Sequence, residues 1–198
     1  MKISTKIIIL ALLGFTGLIG FLPFKECHRQ WQLYRFGASL LPKHGDKKIS
    51  HDIKTLVQEA LTSMKVKKAF FMNIYETNHI CGAATYHMWI NPQAPLGPLK
   101  FVIFHESAHI ALNHFYDRFF ADYNFSPEHI KAQEVEADLL ACQTLFELGM
   151  QDVIIERLQE IKQAIQQKRS VTNSTDHPSL EEMYTYLCEF LKSKGIMV

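Results

Sequence analysis

The chain has 198 residues, of which 47% are hydrophobic, 21% charged and 12% aromatic, with 4 Cys and 10 His. Those proportions exclude a disordered, collagenous or disulfide-scaffold protein and fit one domain with an appendage. The formal net charge of +1 hides an uneven distribution: residues 25–48 carry six bases against two acids, whereas residues 49–198 carry 13 bases against 18 acids, a net of −5. An acidic body offers little to neutralise a run of phosphates, so a strongly basic nucleic-acid-binding domain is not expected, nor a nucleic-acid partner.

In chain order, the first element is a charge-free stretch from Ile7 to Phe24, flanked by Lys2 and Lys6. It approaches the roughly 20 residues that span a bilayer. A cut after Gly17 or Gly20 would put Phe15 or Leu18 at position −3, where a signal peptidase needs a small residue, so an uncleaved anchor is preferred to a cleaved signal. Lys2 and Lys6 favour a cytoplasmic N-terminus and the bases of residues 25–48 favour the reverse, so the flanking charges conflict on orientation. The expected organisation is an N-terminal membrane segment over 1–24, a basic juxtamembrane linker over 25–48 and a folded domain over 49–198. The expected location is a bacterial inner membrane with the domain on the periplasmic side; secretion after cleavage and a cytoplasmic-facing domain are the alternatives. Cys27, Cys81, Cys142 and Cys188 lack metal-ligand spacing and are compatible either with disulfides or with buried thiols.

Within the body, Ile49 to Met64 places Ile53, Leu56, Val57, Ala60 and Leu61 at three- and four-residue steps and predicts an amphipathic helix. Ala69 to Tyr75 and Ala83 to Ile90 are rich in aromatic and β-branched residues and predict two strands. Asn91 to Pro98 holds three prolines and a glycine and predicts a loop, after which Pro98 opens a helix reaching about Tyr116. Ser126-Pro127-Glu128 is a helix start for a segment closed by Gly149; a further helix runs from Gln151 to about Lys168. The polar stretch from Arg169 to Asp176 is a loop, and a last helix begins at Pro178 or Ser179 and runs to about Leu191.

The chemistry is concentrated in His105-Glu106-Ser107-Ala108-His109, a match to HExxH. Two imidazoles four residues apart share one helical face and can grip one metal ion, with the intervening glutamate able to reach a water beside it. Catalytic zinc takes three protein ligands, and Glu134-Val135-Glu136-Ala137-Asp138 offers the third. Glu134 and Asp138 stand one helical turn apart, so Glu134 can bind the metal while Asp138 accepts the free N–H of a ligand histidine. Glu136 points elsewhere and reads as a solvated carboxylate, with the backup role of ligand. The longer three-histidine arrangement would need Gly at 112 and His at 115, where Leu112 and Phe115 stand; His114 is one position short and reads as an ordinary helix-end histidine.

With HESAH, EVEAD and the later Thr175-Asp176-His177-Pro178-Ser179, the sequence resembles the gluzincin zinc metallopeptidases, and among them the family of CAAX prenyl endopeptidases and HtpX-like proteases. The resemblance implies His105, His109 and Glu134 as ligands to one zinc ion, Glu106 as general base, Asp138 as the support of a ligand histidine, and His177 as the residue that steadies the oxyanion. It implies hydrolysis of protein or peptide substrates by a mostly helical α+β, zincin-like domain, with a small antiparallel edge sheet packed on the HExxH helix. The strand over 83–90 would be the edge on which an extended substrate pairs. Two rivals stand beside this reading: a membrane-tethered binding or scaffold protein with a structural zinc site, and an intramembrane zinc protease. Phe101 to Phe115 contains Asn113 and meets Asp117 and Arg118 directly, too polar and short a stretch for the second. Oligomeric state and substrate identity are not encoded in any motif.

Overall fold

A computed structural model describes residues 32, 49–66, 73–76, 82–84, 87–93, 96–115, 126–167 and 177–197. The membrane segment expected over 1–24, nearly all of the basic linker expected over 25–48, Cys27, Cys81, the loop expected over 169–176 and the first half of the strand expected over 69–75 lie outside these residues. Among the described residues, no helix is long and apolar enough to cross a membrane.

The described elements are α1 (His51–Ser63), β1 (Asn73–Glu76), β2 (Gly82–Ala84), β3 (His87–Ile90), α2 (Leu96–Ala111), α3 (Pro127–Glu147), α4 (Gln151–Gln166) and α5 (Leu180–Ser193). Helix α2 is the hub, touching α1, α3, α4 and β2. It buries Leu99, Phe101, Ile103, Phe104, Ala108 and Ile110, as expected of a helix with neighbours on several sides. Truncating a fully buried phenylalanine such as Phe104 to alanine would cost about 3–5 kcal/mol, so this helix, and the motif on it, is firmly held. It starts earlier than the proline rule suggests, with Pro98 in the first turn, where its missing N–H still costs nothing. It also ends sooner, at Ala111, because Asn113 takes a left-handed φ of 59° that asparagine tolerates.

The strand expected over 83–90 is two strands, β2 and β3, and the small sheet is mixed rather than antiparallel. Its order is β1-β3-β2, with β2 antiparallel and β1 parallel to β3. The chain reverses between β1 and β2 and again between β2 and β3, so the first and third strands run the same way. Placing β3 in the middle makes that parallel pair neighbours. Its burial explains the choice: His87, Met88 and Ile90 of β3 are buried, whereas every residue of β1 is half-exposed. The edge facing α2 is therefore β2.

Local signals set the remaining boundaries. The Ser126 hydroxyl accepts from the His129 N–H and Pro127 follows, fixing the start of α3. At its end Gly149 has φ 72°, the Met150 N–H reaches the Leu145 carbonyl at 2.8 Å and the Gly149 N–H reaches that of Phe146 at 3.0 Å, a Schellman closure. In α5, the Ser179 hydroxyl accepts from the Glu182 N–H at 3.2 Å while the Ser179 N–H donates to Glu182 Oε2 at 2.7 Å. Glu182 Oε1 also receives Lys131 Nζ of α3 at 2.6 Å, which ties the start of α5, and so His177 two residues before the cap, to the α3 helix. Cys142 and Cys188 are free, buried thiols.

Candidate metal centre

Helix α3 has little amphipathic contrast because its core-facing stripe changes character along its length. Glu134, Ala137, Asp138, Ala141, Cys142 and Leu145 are all buried at helical spacing, so the stripe is acidic where it meets the HExxH turn and apolar beyond it. Buried carboxylates cost several kcal/mol unless partnered, and the partners are the two histidines of α2.

His105 Nε2 and His109 Nε2 lie 3.0 Å apart, and each is 3.3 Å from Glu134 Oε2. Among the described residues, these three side chains make the group able to hold a metal ion. Four donors placed tetrahedrally at zinc distances of ~2.0–2.1 Å stand about 3.3 Å from one another, so the triangle fits that ion. Two imidazoles and one carboxylate are also the donor set of open zinc sites, with a fourth position left for water or substrate.

The His105 corner of the triangle is braced from behind. His105 Nδ1 donates to Asp138 Oδ1 at 2.7 Å, and the Tyr186 hydroxyl of α5 donates to Asp138 Oδ2. Burial and the Asp138 charge push the Tyr186 hydroxyl above its ordinary pKa, which keeps it a donor. Burial works against a charge on His105, but the adjacent Asp138 and Glu134 carboxylates prevail and raise its pKa to about 10. Glu134 is likewise opposed by burial, yet hydrogen bonds from His105 and His109 hold it well below the usual carboxylate range. Glu106, on the same helix, is held above its ordinary value by burial, against the pull of His105 and His109, and the Ala83 N–H of the β2 edge donates to it.

A cationic His105 has a measurable consequence, because ligation requires its Nε2 proton to leave. At pH 7, zinc uptake should release about one proton, read with an indicator dye in weak buffer; uptake without proton release would contradict the charged state. The same raised pKa stabilises the metal-free fold below pH 6.5, and that contribution is lost as pH rises through about 10.

His177 is exposed at the rim, its Nε2 3.9 Å from Glu134 Oε2. Glu136 is 66% exposed and lies outside the metal triangle; it receives His114 Nε2 at 3.3 Å. His114 departs most from its sequence reading. It is 3% exposed, and its Nδ1 lies 2.8 Å from His109 Nδ1. Five residues along an unbroken helix would turn it about 140° away from His109; the break at Asn113 brings it back. Tyr186 had no local signal, since it meets Asp138 across 48 positions of sequence.

A helix bearing HExxH, crossed by a second that contributes glutamate, defines a site of the zinc-metallopeptidase type. A family model described as the IrrE N-terminal-like domain (Peptidase_M78) matches residues 51–175, and the chain belongs to that family. This replaces the CAAX prenyl endopeptidase and HtpX-like assignment: HESAH and EVEAD fall inside the match, whereas the His177-Pro178 pair that completed the earlier resemblance lies beyond it. Neither the curated proteins nor the solved structures contain a match to the chain.

Proposed function

We propose that the domain is a zinc-dependent endopeptidase that hydrolyses peptide bonds of protein substrates. The observation that carries this reading is the triangle of His105 Nε2, His109 Nε2 and Glu134 Oε2, at 3.0–3.3 Å, with Glu106 on the same helix. When bound, zinc supplies Lewis-acid chemistry, polarising a carbonyl oxygen and lowering the pKa of water from about 15.7 toward ~7.

The residues divide the remaining work. Glu106 takes the proton of the attacking water and delivers it to the departing amine, a task suited to a carboxylate whose basicity burial has increased. Asp138 holds the His105 ring with Nδ1 protonated, so that Nε2 presents its lone pair. The β2 edge, whose Ala83 N–H already addresses Glu106, would receive an extended substrate by backbone pairing. His177, at the rim beside Glu134, is assigned as the donor to the oxyanion. The test is cleavage of an unfolded protein such as casein by zinc-loaded wild type beside Glu106→Gln.

The stretch over 7–24 is assigned as a tether to the bacterial inner membrane on the strength of its charge-free sequence, and the periplasmic side is assigned to the domain as the orientation that Lys2 and Lys6 favour over the opposing bases of residues 25–48. The full chain should then sediment with membranes and resist carbonate extraction; release by carbonate would remove the tether.

A further inference from the structure

We propose that His114 and Glu136 form a positioning arm for His109, which fixes the tautomer in which that ring can ligate a metal. The proposal rests on the metal-site reading above. His109 uses Nε2 toward His105 and Glu134, which leaves Nδ1, and Nδ1 lies 2.8 Å from the Nδ1 of His114. Two ring nitrogens at that separation share one proton. If His109 Nε2 is to offer a lone pair, the proton of its neutral ring sits on Nδ1, so His109 donates and His114 accepts. An acceptor at Nδ1 obliges neutral His114 to carry its own proton on Nε2, where Glu136 Oε2 receives it at 3.3 Å. One direction of donation therefore satisfies the whole chain from His109 through His114 to Glu136.

The arm mirrors the one on the other ligand, where His105 donates to Asp138. It differs in its end point. Asp138 is buried and receives a tyrosine, whereas Glu136 is 66% exposed, so its charge stays hydrated and its pull on His114 is weak. The determining contact is the buried one between the rings, whose centroids lie 5.0 Å apart at 70°. His114 is thus a positioning residue, acting through His109.

Zinc affinity, measured by competition with a chromophoric chelator, tests the arm without turnover. His114→Phe keeps a ring but no acceptor and should weaken binding about 10–100-fold, whereas His114→Asn places an oxygen near the position of Nδ1 and should stay within about threefold of wild type. Nitrogen-15 spectra of zinc-loaded wild type should show His109 protonated on Nδ1 and His114 on Nε2. Wild-type affinity in His114→Phe, affinity in His114→Asn as weak as in His114→Phe, or His114 protonated on Nδ1 would each overturn the arm; the spectra serve even if a variant fails to fold. A wild type that binds zinc but cleaves nothing removes the peptidase reading alone. A wild type that takes up no zinc removes both.

Discussion

Glu106→Gln should lower casein cleavage by about 10²–10⁴-fold while the protein still binds one zinc ion, because the amide preserves the shape of the side chain but cannot accept a proton. Glu106 stands outside the triangle formed by His105, His109 and Glu134, so its loss leaves the ligands in place. Burial raises its carboxyl above the ordinary value, and His105 and His109 restrain the rise. Proton acceptance requires the ionised form, so wild-type cleavage should fall on acidification. Cleavage by Glu106→Gln at the wild-type rate would refute the assignment of the base and leave a zinc-holding domain without turnover as the surviving reading.

Glu134→Ala and Glu136→Ala should separate sharply in zinc content, although both remove one carboxylate from the same helix. Glu134 Oε2 lies 3.3 Å from both ligand nitrogens, so its removal takes away a ligand, with a loss well beyond the roughly 10–100-fold seen for residues that only support one. Glu136 reaches the site through His114, so its removal should stay within that smaller range. Metal analysis after equilibration with a stoichiometric amount of zinc gives the answer directly. Retention by Glu134→Ala together with loss in Glu136→Ala would exchange the two assignments and undo the triangle.

Much of the fold was legible because its signals are local. Ser126 with Pro127, Gly149 at its left-handed turn and the cap at Ser179 mark helix ends through contacts reaching only a few residues. The sheet was read less well. Alternation and composition identify strand-forming residues, but strand order depends on which strand has both sides covered, and that is set by contacts with the rest of the domain. The helix bearing HExxH was similarly displaced at both ends, its start by two residues before Pro98 and its stop by Asn113.

The sequence by itself determined that His105 and His109 share a face, that Glu134 and Asp138 share another, and that Glu136 points away from both, since a helical turn of 3.6 residues dictates each relation. Only the tertiary structure decided that the two faces meet at 3.0–3.3 Å, that Tyr186 of α5 closes on Asp138, and that His114 turns back beneath His109 to meet Glu136. The physical reason is that periodicity fixes where a side chain stands around its own helix. Which helices face one another, and where a chain leaves a helix to bring His114 into reach, follow from packing around α2.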